Sequence, residues 1–178
     1  IPSIPNGENE HLVKKAGSAR VIFLSRIMWK KNLLYAIQIL QKVNGDVQFD
    51  IYGPIEQEEY WEKCKDAITE LPQNIKVSYC GQLSHDDVHK TLSQYDALLL
   101  PTLSENFGHV IVEALVVGCP AIISDQTPFT EINRVGAGWA ISLDDKESFI
   151  AAVQMIVDCD NDKRKQYFLN SKKYIESK

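Results

Sequence analysis

The sequence predicts an α/β domain on a doubly wound parallel sheet with helices on both faces. Three observations carry that expectation. Short β-rich runs alternate with longer segments of helical periodicity, the pattern of strand–helix–strand crossovers. Two runs, "DALLLP" (96–101) and "PAIISD" (120–125), are almost continuously apolar, as strands covered on both faces must be. With 178 residues, 44% hydrophobic and 24% charged, the chain has the composition and length for one sizeable globular core.

The elements follow in order. "ARVIFLS" (19–25) reads as a buried strand, and "NLLYAIQILQKV" (32–43) places Leu33, Leu34, Ile37 and Leu40 at helical spacing. "VQFDIYG" (47–53) is the next strand, and "EEYWEKCKDAITEL" (58–71) is a helix stopped before Pro72. Strand "IKVSYCG" (75–81) leads to a helix from Ser84 through Ser93, with Ser84 or Asp86 as its cap. After strand 96–101, "SENFGHVIVEALVVGCP" (104–120) turns into a helix near Asn106 to Gly108. Strand 120–125, a short strand near "GWAIS", a helix from about Asp145 to Asp158 and a charged helical tail from Asn161 complete the chain. No internal repeat or low-complexity linker divides it, so residues 1–178 read as a single domain.

Several function classes lose support. The formal net charge of -5 argues against a nucleic-acid partner, which needs a basic face. No apolar run approaches the ~18 residues of a membrane span. The opening "IPSIPNGENEH" has neither the basic region nor the apolar core of a signal peptide, and with no initiator methionine the chain reads as an excised domain. Cys64, Cys80, Cys119 and Cys159 are scattered without a CxxC pair, as in a reduced cytoplasmic protein rather than a disulfide framework or zinc site. Both the GxGxxG dinucleotide fingerprint and the Walker loop are absent.

Ligands on doubly wound sheets bind at the carboxyl ends of the strands, which directs attention to three loops. In "SRIMWKKN", Arg26 and Lys31 lie across a turn entering a helix. Cations there would meet an anion, since the helix dipole already favours negative charge at that end; a solvated basic turn is the other reading, and Lys30 fits it best. In "CGQLSHDD", Gly81 permits a close or left-handed backbone approach, while His85 and His89, four residues apart, lack a third metal ligand and read as an exposed helical face. In "TLSENFGHV", Gly108 would let a ligand approach the backbone, and the free amides of residues 107 to 110 would form an anion site. Glu113 then falls inside an apolar helix. A buried carboxylate without partners is costly. Either it accepts from paired hydroxyls, as on a ribose, or it pairs with a lysine or arginine elsewhere, or it emerges at the helix surface. His109 reads as a polar residue facing the cleft.

These segments resemble a known family. "SENFGHVIVEALVVGCPAIISD" resembles the E-x7-E signature of the family-four retaining glycosyltransferases, which have the two-domain GT-B architecture. "SRIMWKKN" is similar to that family's GR-(L/I)-x-x-x-K-G segment, and "IPNGE" to its PNG stretch. "IYGP", "YCGQL" and "ALLLPTLSENFG" follow in the family's order. The resemblance implies a Rossmann-like, donor-binding C-terminal domain, with the acceptor-binding N-terminal domain outside this chain. It implies that Arg26 and Lys31 hold the diphosphate, that Glu113 binds the ribose hydroxyls, and that Glu105 faces the transferred sugar. The stretch Asn106, Phe107, Gly108, His109 and Val110 would contact the donor, its amides from Phe107 onward meeting sugar hydroxyls and phosphates. Gly81 and Leu83 would lie along the base. Ser25 and Asn32 depart from glycines of the pattern, and "NGEN" from its NG-(V/I)-D.

The implied function is retaining transfer from a UDP-, GDP- or ADP-sugar to a sugar or lipid-linked acceptor in polysaccharide or glycan assembly. It would need no tightly bound metal or cofactor, and the intact protein would work in the cytoplasm, with peripheral association at the inner membrane face. The isolated domain is expected to be a poor catalyst. A sugar-nucleotide 2-epimerase of the same architecture and a non-catalytic nucleotide-binding domain are the alternatives.

Overall fold

The computed structural model describes residues 13–178, so the "IPNGE" stretch lies outside the described residues. Six strands form one sheet: β1 (Ser18–Leu24), β2 (Asp46–Tyr52), β3 (Ile75–Gly81), β4 (Ala97–Leu100), β5 (Ala121–Ser124) and β6 (Gly138–Ile141). Their order is β3-β2-β1-β4-β5-β6, and every pairing is parallel. The helices are α1 (Leu33–Leu40), α2 (Glu58–Thr69), α3 (Val88–Leu92), α4 (His109–Val116), α5 (Ile132–Val135), α6 (Lys146–Asp158) and α7 (Asn161–Glu176). One layer sets α1 against α2 and α6; another sets α4 against α3 and α7, with α5 on α7.

Burial follows the apolar runs. All of β4 and β5 is buried, and the cluster continues into Ile22, Phe23, Phe49, Ile51 and Phe149. Only β3, at the sheet edge, leaves most of its residues exposed or half-exposed. At ~25 cal/mol per Å² of apolar surface removed from water, the shared core is what holds these short strands together. α6 and α7 start where Asp145 and Asp160 accept the amides of Ser148 and Lys163, satisfying otherwise bare donors.

The expected helix 84–93 differs. A single 3-10 turn (His85–Asp87) precedes the short α3, because the Ser84 hydroxyl donates to Asp87 Oδ2 at 2.8 Å and caps no backbone amide. Asp86 caps nothing either; Asp87 stands at the cap position of α3 with no side-chain bond to the backbone. α5, closed by Gly136 at φ 70°, is too short for a periodic signal.

A buried polar lock fastens α7 to the sheet. Arg164 Nε lies 3.4 Å from Asp96 Oδ1, off hydrogen-bond alignment, while its terminal nitrogens donate to the carbonyls of Gly118 and Tyr95. Asp96 also accepts the Arg20 amide at 2.8 Å. At the same, amino-terminal rim of the strands lies a recess of about 420 Å³ bordered by Lys14, Arg20, Asp46 and Lys76. Lys14 there is spent on three backbone carbonyls, those of Lys15, Val157 and Cys159. That recess is at the wrong rim for ligand chemistry on such a sheet.

Candidate functional site

The strand order reverses between β1 and β4, whose connections leave on opposite faces. This switch point opens a crevice at the carboxyl ends of the two strands. The loops that follow β1 and β4, residues 25–32 and 101–108, are those carrying Arg26, Lys31 and Glu105.

The first loop is short and bonded on both sides. Ile27 N donates to Pro54 O at 2.9 Å, a 3-10 turn spans Trp29–Lys31, and Asn32 then adopts φ 65°, ψ 37°. Asn32 is the one non-glycine residue at positive φ among the described residues. Asparagine tolerates the left-handed region far better than most side chains, so this departure from glycine keeps the backbone turn. Its side chain adds a link that glycine could not: Nδ2 donates to Pro101 O at 2.8 Å. Leu103 N and the Thr102 hydroxyl both donate to Lys30 O, at 2.8 and 3.1 Å, so the two loops form one unit. A Cβ on Gly53 would fall 1.8 Å from the backbone oxygen of Ser25, so position 53 requires glycine whichever residue stands at 25.

Lys31 is buried, and its Nζ lies 2.9 Å from Glu105 Oε2. The two side chains are 10% and 17% exposed, so the pair is largely shielded from water. Glu105 N donates to Gln126 O at 3.1 Å, and the Ser124 hydroxyl donates to Thr102 O at 2.5 Å. The segment after β5, residues 125–131, thus supports the catalytic-candidate loop. Sequence reasoning missed this segment, and no signal along the chain marked it, because the place of β5 beside β4 is fixed only in the sheet.

Arg26 is exposed and meets an unforeseen partner, with Nη1 at 3.3 Å from Glu56 Oε2 on the loop after β2. Lys30 is exposed, its ammonium 5.9 Å from the Trp29 ring centre.

Gly108 stands at φ 65°, ψ 37° as the cap residue of α4. A Cβ there would come within 2.6 Å of the Phe129 ring, so both conformation and space require glycine. The first helical bond runs from Val112 N to Gly108 O. The amides of Phe107, Gly108, His109 and Val110 have no acceptor among the described residues, leaving donors directed at the crevice end of the helix. Asn106, Phe107 and His109 are exposed, Phe107 strongly so at 72%, and Val110 is half-buried.

Glu113 sits five residues beyond Gly108, about 7.5 Å along the helix axis. It is half-buried rather than buried, because Ile111, Ala114 and Leu115 take the core face and leave it on the flank. Among the described residues no group donates to it and no lysine or arginine pairs with it. Gly81, at φ 80°, ends the edge strand β3 in open space, and its carbonyl accepts Gly53 N at 2.9 Å. Leu83 is half-buried against the core, while His85 is exposed. Because α3 packs on α4, the loop after β3 and the Gly108 turn lie on one face.

The sequence profile of the family described as "Glycosyl transferases group 1" matches residues 8–174. The chain belongs to that family. Two curated relatives of this group 1 chain are the 2-deoxystreptamine N-acetyl-D-glucosaminyltransferase of Niallia circulans, 32% identical over 114 residues, and the O-antigen chain mannosyltransferase RfbU of Salmonella typhimurium, 28% identical over 98 residues. The matches take in 62% and 55% of this chain but 28% of each relative. The chain therefore spans well under half the length of the curated relatives it matches. Among solved structures, Anabaena HepE in complex with UDP and glucose superposes with a TM-score of 0.79 at 19% identity, over 90% of this chain and 44% of that one. The doubly wound fold expected from the sequence is the one found in such glycosyltransferase structures. No helix among the described residues is long and apolar enough to cross a membrane.

Proposed function

We propose that this chain is the donor-binding half of a retaining, two-domain glycosyltransferase, and that its crevice takes a nucleoside-diphosphate sugar. The observation that carries the reading is the shielded Lys31–Glu105 pair at the switch point, beside the acceptor-free amides of the Gly108 turn. In this reading Arg26, Lys31 and the amides of residues 107–110 face the diphosphate, Glu113 accepts from the ribose hydroxyls, and Gly81 and Leu83 border the base. Glu105 faces the sugar near its reacting carbon.

The difficult step is departure of the diphosphate. Positive groups already in position stabilise the charge that develops without reorganising at the moment of reaction, and one such contact is worth about 2–4 kcal/mol by comparison with oxyanion donors. Arg26 and Lys31 supply that charge from the protein itself, so the reading calls for no resident metal. Lys31 also holds Glu105 at a defined place near the leaving group, which serves orientation as well as charge. The acceptor would enter from a second domain; saccharide or lipid-linked acceptors of glycan assembly suit a chain with an O-antigen mannosyltransferase among its relatives.

Titration calorimetry of the chain against UDP, GDP and ADP, then the corresponding sugars, tests the proposal. Binding of one diphosphate, with the matching nucleoside far weaker, is expected. Equal weak binding of all of them, unchanged in Arg26→Ala/Lys31→Ala, would remove it. In the intact protein, transfer to an added acceptor with retained anomeric configuration is expected, whereas a new sugar nucleotide formed without acceptor would indicate epimerisation.

A further inference from the structure

The two cations assigned to the diphosphate are held differently. Lys31 is shielded and held by Glu105, a residue that itself belongs to the proposed sugar site. Arg26 lies in water, its side chain 52% exposed, against Glu56, to which the proposed donor site gives no role. We infer that Glu56 is a resident counter-anion, which Arg26 exchanges for the donor's diphosphate on binding. This rests on the diphosphate role proposed for Arg26.

The placement of Glu56 is built into the backbone. Beyond the ends of β1 and β2, the segments 26–29 and 54–57 continue side by side. Ile27 N donates to Pro54 O at 2.9 Å, and Ile27 O accepts both Glu56 N at 3.1 Å and Gln57 N at 3.3 Å. Ile27 and Ile55 form a parallel bridge, and Gln57 Oε1 accepts Trp29 N at 2.9 Å. This ladder puts Glu56 in register with Met28, two residues along from Arg26 and on the same face, so the Glu56 side chain is a diagonal neighbour of Arg26. Arg26 is also the only polar partner of the Glu56 side chain among the described residues. Helix capping does not account for the glutamate: α2 begins at Glu58, Gln57 occupies its cap position, and Glu58 and Glu59 fill its first turn.

The consequence is a threshold. Arg26 and Lys31 each already face one carboxylate, so an incoming anion must compete with it. A diphosphate carries more charge than a carboxylate and can accept from the guanidinium fork in two places, so it displaces Glu56. A ligand without phosphate cannot. The exposed pair is also cheap to open, which lets Arg26 move while Lys31 stays in place.

Calorimetry with inorganic pyrophosphate and with UDP tests the exchange on the wild-type chain, Glu56→Gln, Arg26→Ala and the double variant. Glu56→Gln should bind both ligands roughly two- to fivefold more tightly, the range expected for releasing an exposed pair, and the gain should shrink at high salt. Arg26→Ala should bind more weakly, and the double variant should match it, since no cation remains to be freed. Unchanged thermal melts of Glu56→Gln and of Glu56→Ala would exclude misfolding. If Arg26→Ala weakens binding but neither Glu56 variant strengthens it, the counter-anion inference is overturned and the diphosphate reading stands. If Arg26→Ala has no effect, the diphosphate role of Arg26 fails and this inference falls with it.

Discussion

Replacing Glu113 with leucine separates a residue kept for a ligand from one kept for the fold. The carboxylate is half-buried on the flank of α4 and has no donor among the described residues, so removing it breaks no internal bond. Leucine is at least as good a helix former, and its neighbours Val110 and Val116 are apolar and half-buried. The stability change should therefore stay within about 0.5 kcal/mol, a shift of one or two degrees in Tm for a chain of this size. Binding should respond quite differently. A hydrogen bond to a charged group is worth about 1.5–3 kcal/mol, so losing one costs roughly tenfold to more than a hundredfold in affinity. Urea unfolding followed by circular dichroism, paired with UDP calorimetry, reads both quantities. Glu113→Gln, which keeps one acceptor, should fall between. Refutation would be the reverse outcome: Glu113→Leu destabilised by more than about 1.5 kcal/mol while UDP binds as before. That result would make Glu113 a structural residue and leave the ribose without its acceptor.

Four further outcomes follow from the geometry. On the proposed reading, Glu105→Gln in the intact protein should lower kcat more than it weakens donor binding, whereas Lys31→Ala should impair both, since it removes a cation and leaves Glu105 unheld; steady-state kinetics at saturating and subsaturating donor distinguish them. Arg164→Ala strands the Asp96 carboxylate at a side-chain exposure of 6% and should cost about 3–5 kcal/mol in chemical unfolding. Gly108→Ala meets both a left-handed backbone and the Phe129 ring, so it should lower Tm and weaken UDP binding together, an effect that Gly81→Ala, in open space, should produce only through backbone strain. The Asp145 carboxyl is held below its ordinary value of 3.8 by the Ser148 hydroxyl and amide. Its contribution is then complete above pH 3.8 and is lost as pH falls through the lower folded value. Urea-unfolding midpoints of wild type and Asp145→Ala, measured as a function of pH, should accordingly converge at the acid end and separate above pH 3.8.

What could be read from the chain was what depends on local period and composition. Apolar runs such as "ALLL" and "AIIS" fit strands enclosed on both faces, and their alternation with helical stretches implies the doubly wound sheet. The charges of "SRIMWKKN" and the two glutamates of the 104–120 segment likewise pointed to two loops that the fold sets side by side at the carboxyl ends of β1 and β4. Ser84 was misjudged because its hydroxyl had a choice of local partners, Asp87 or a backbone amide, and composition cannot rank them. Asn32 looked like a departure from pattern until its φ of 65° put it in the conformation that glycine would have supplied.

Partnerships between distant segments belonged to the tertiary structure alone. Residues 26 and 56 and residues 105 and 126 meet because neighbouring parallel strands end at one rim, residues 31 and 105 because the strand order reverses between β1 and β4, and residues 96 and 164 because α7 packs onto the sheet beside α4. Side-chain charge and backbone propensity are properties of the residue and its near neighbours, whereas an ion pair is a property of a distance. Only packing the sheet sets that distance, which is why the glutamate facing Arg26 could not be found by reading along the chain.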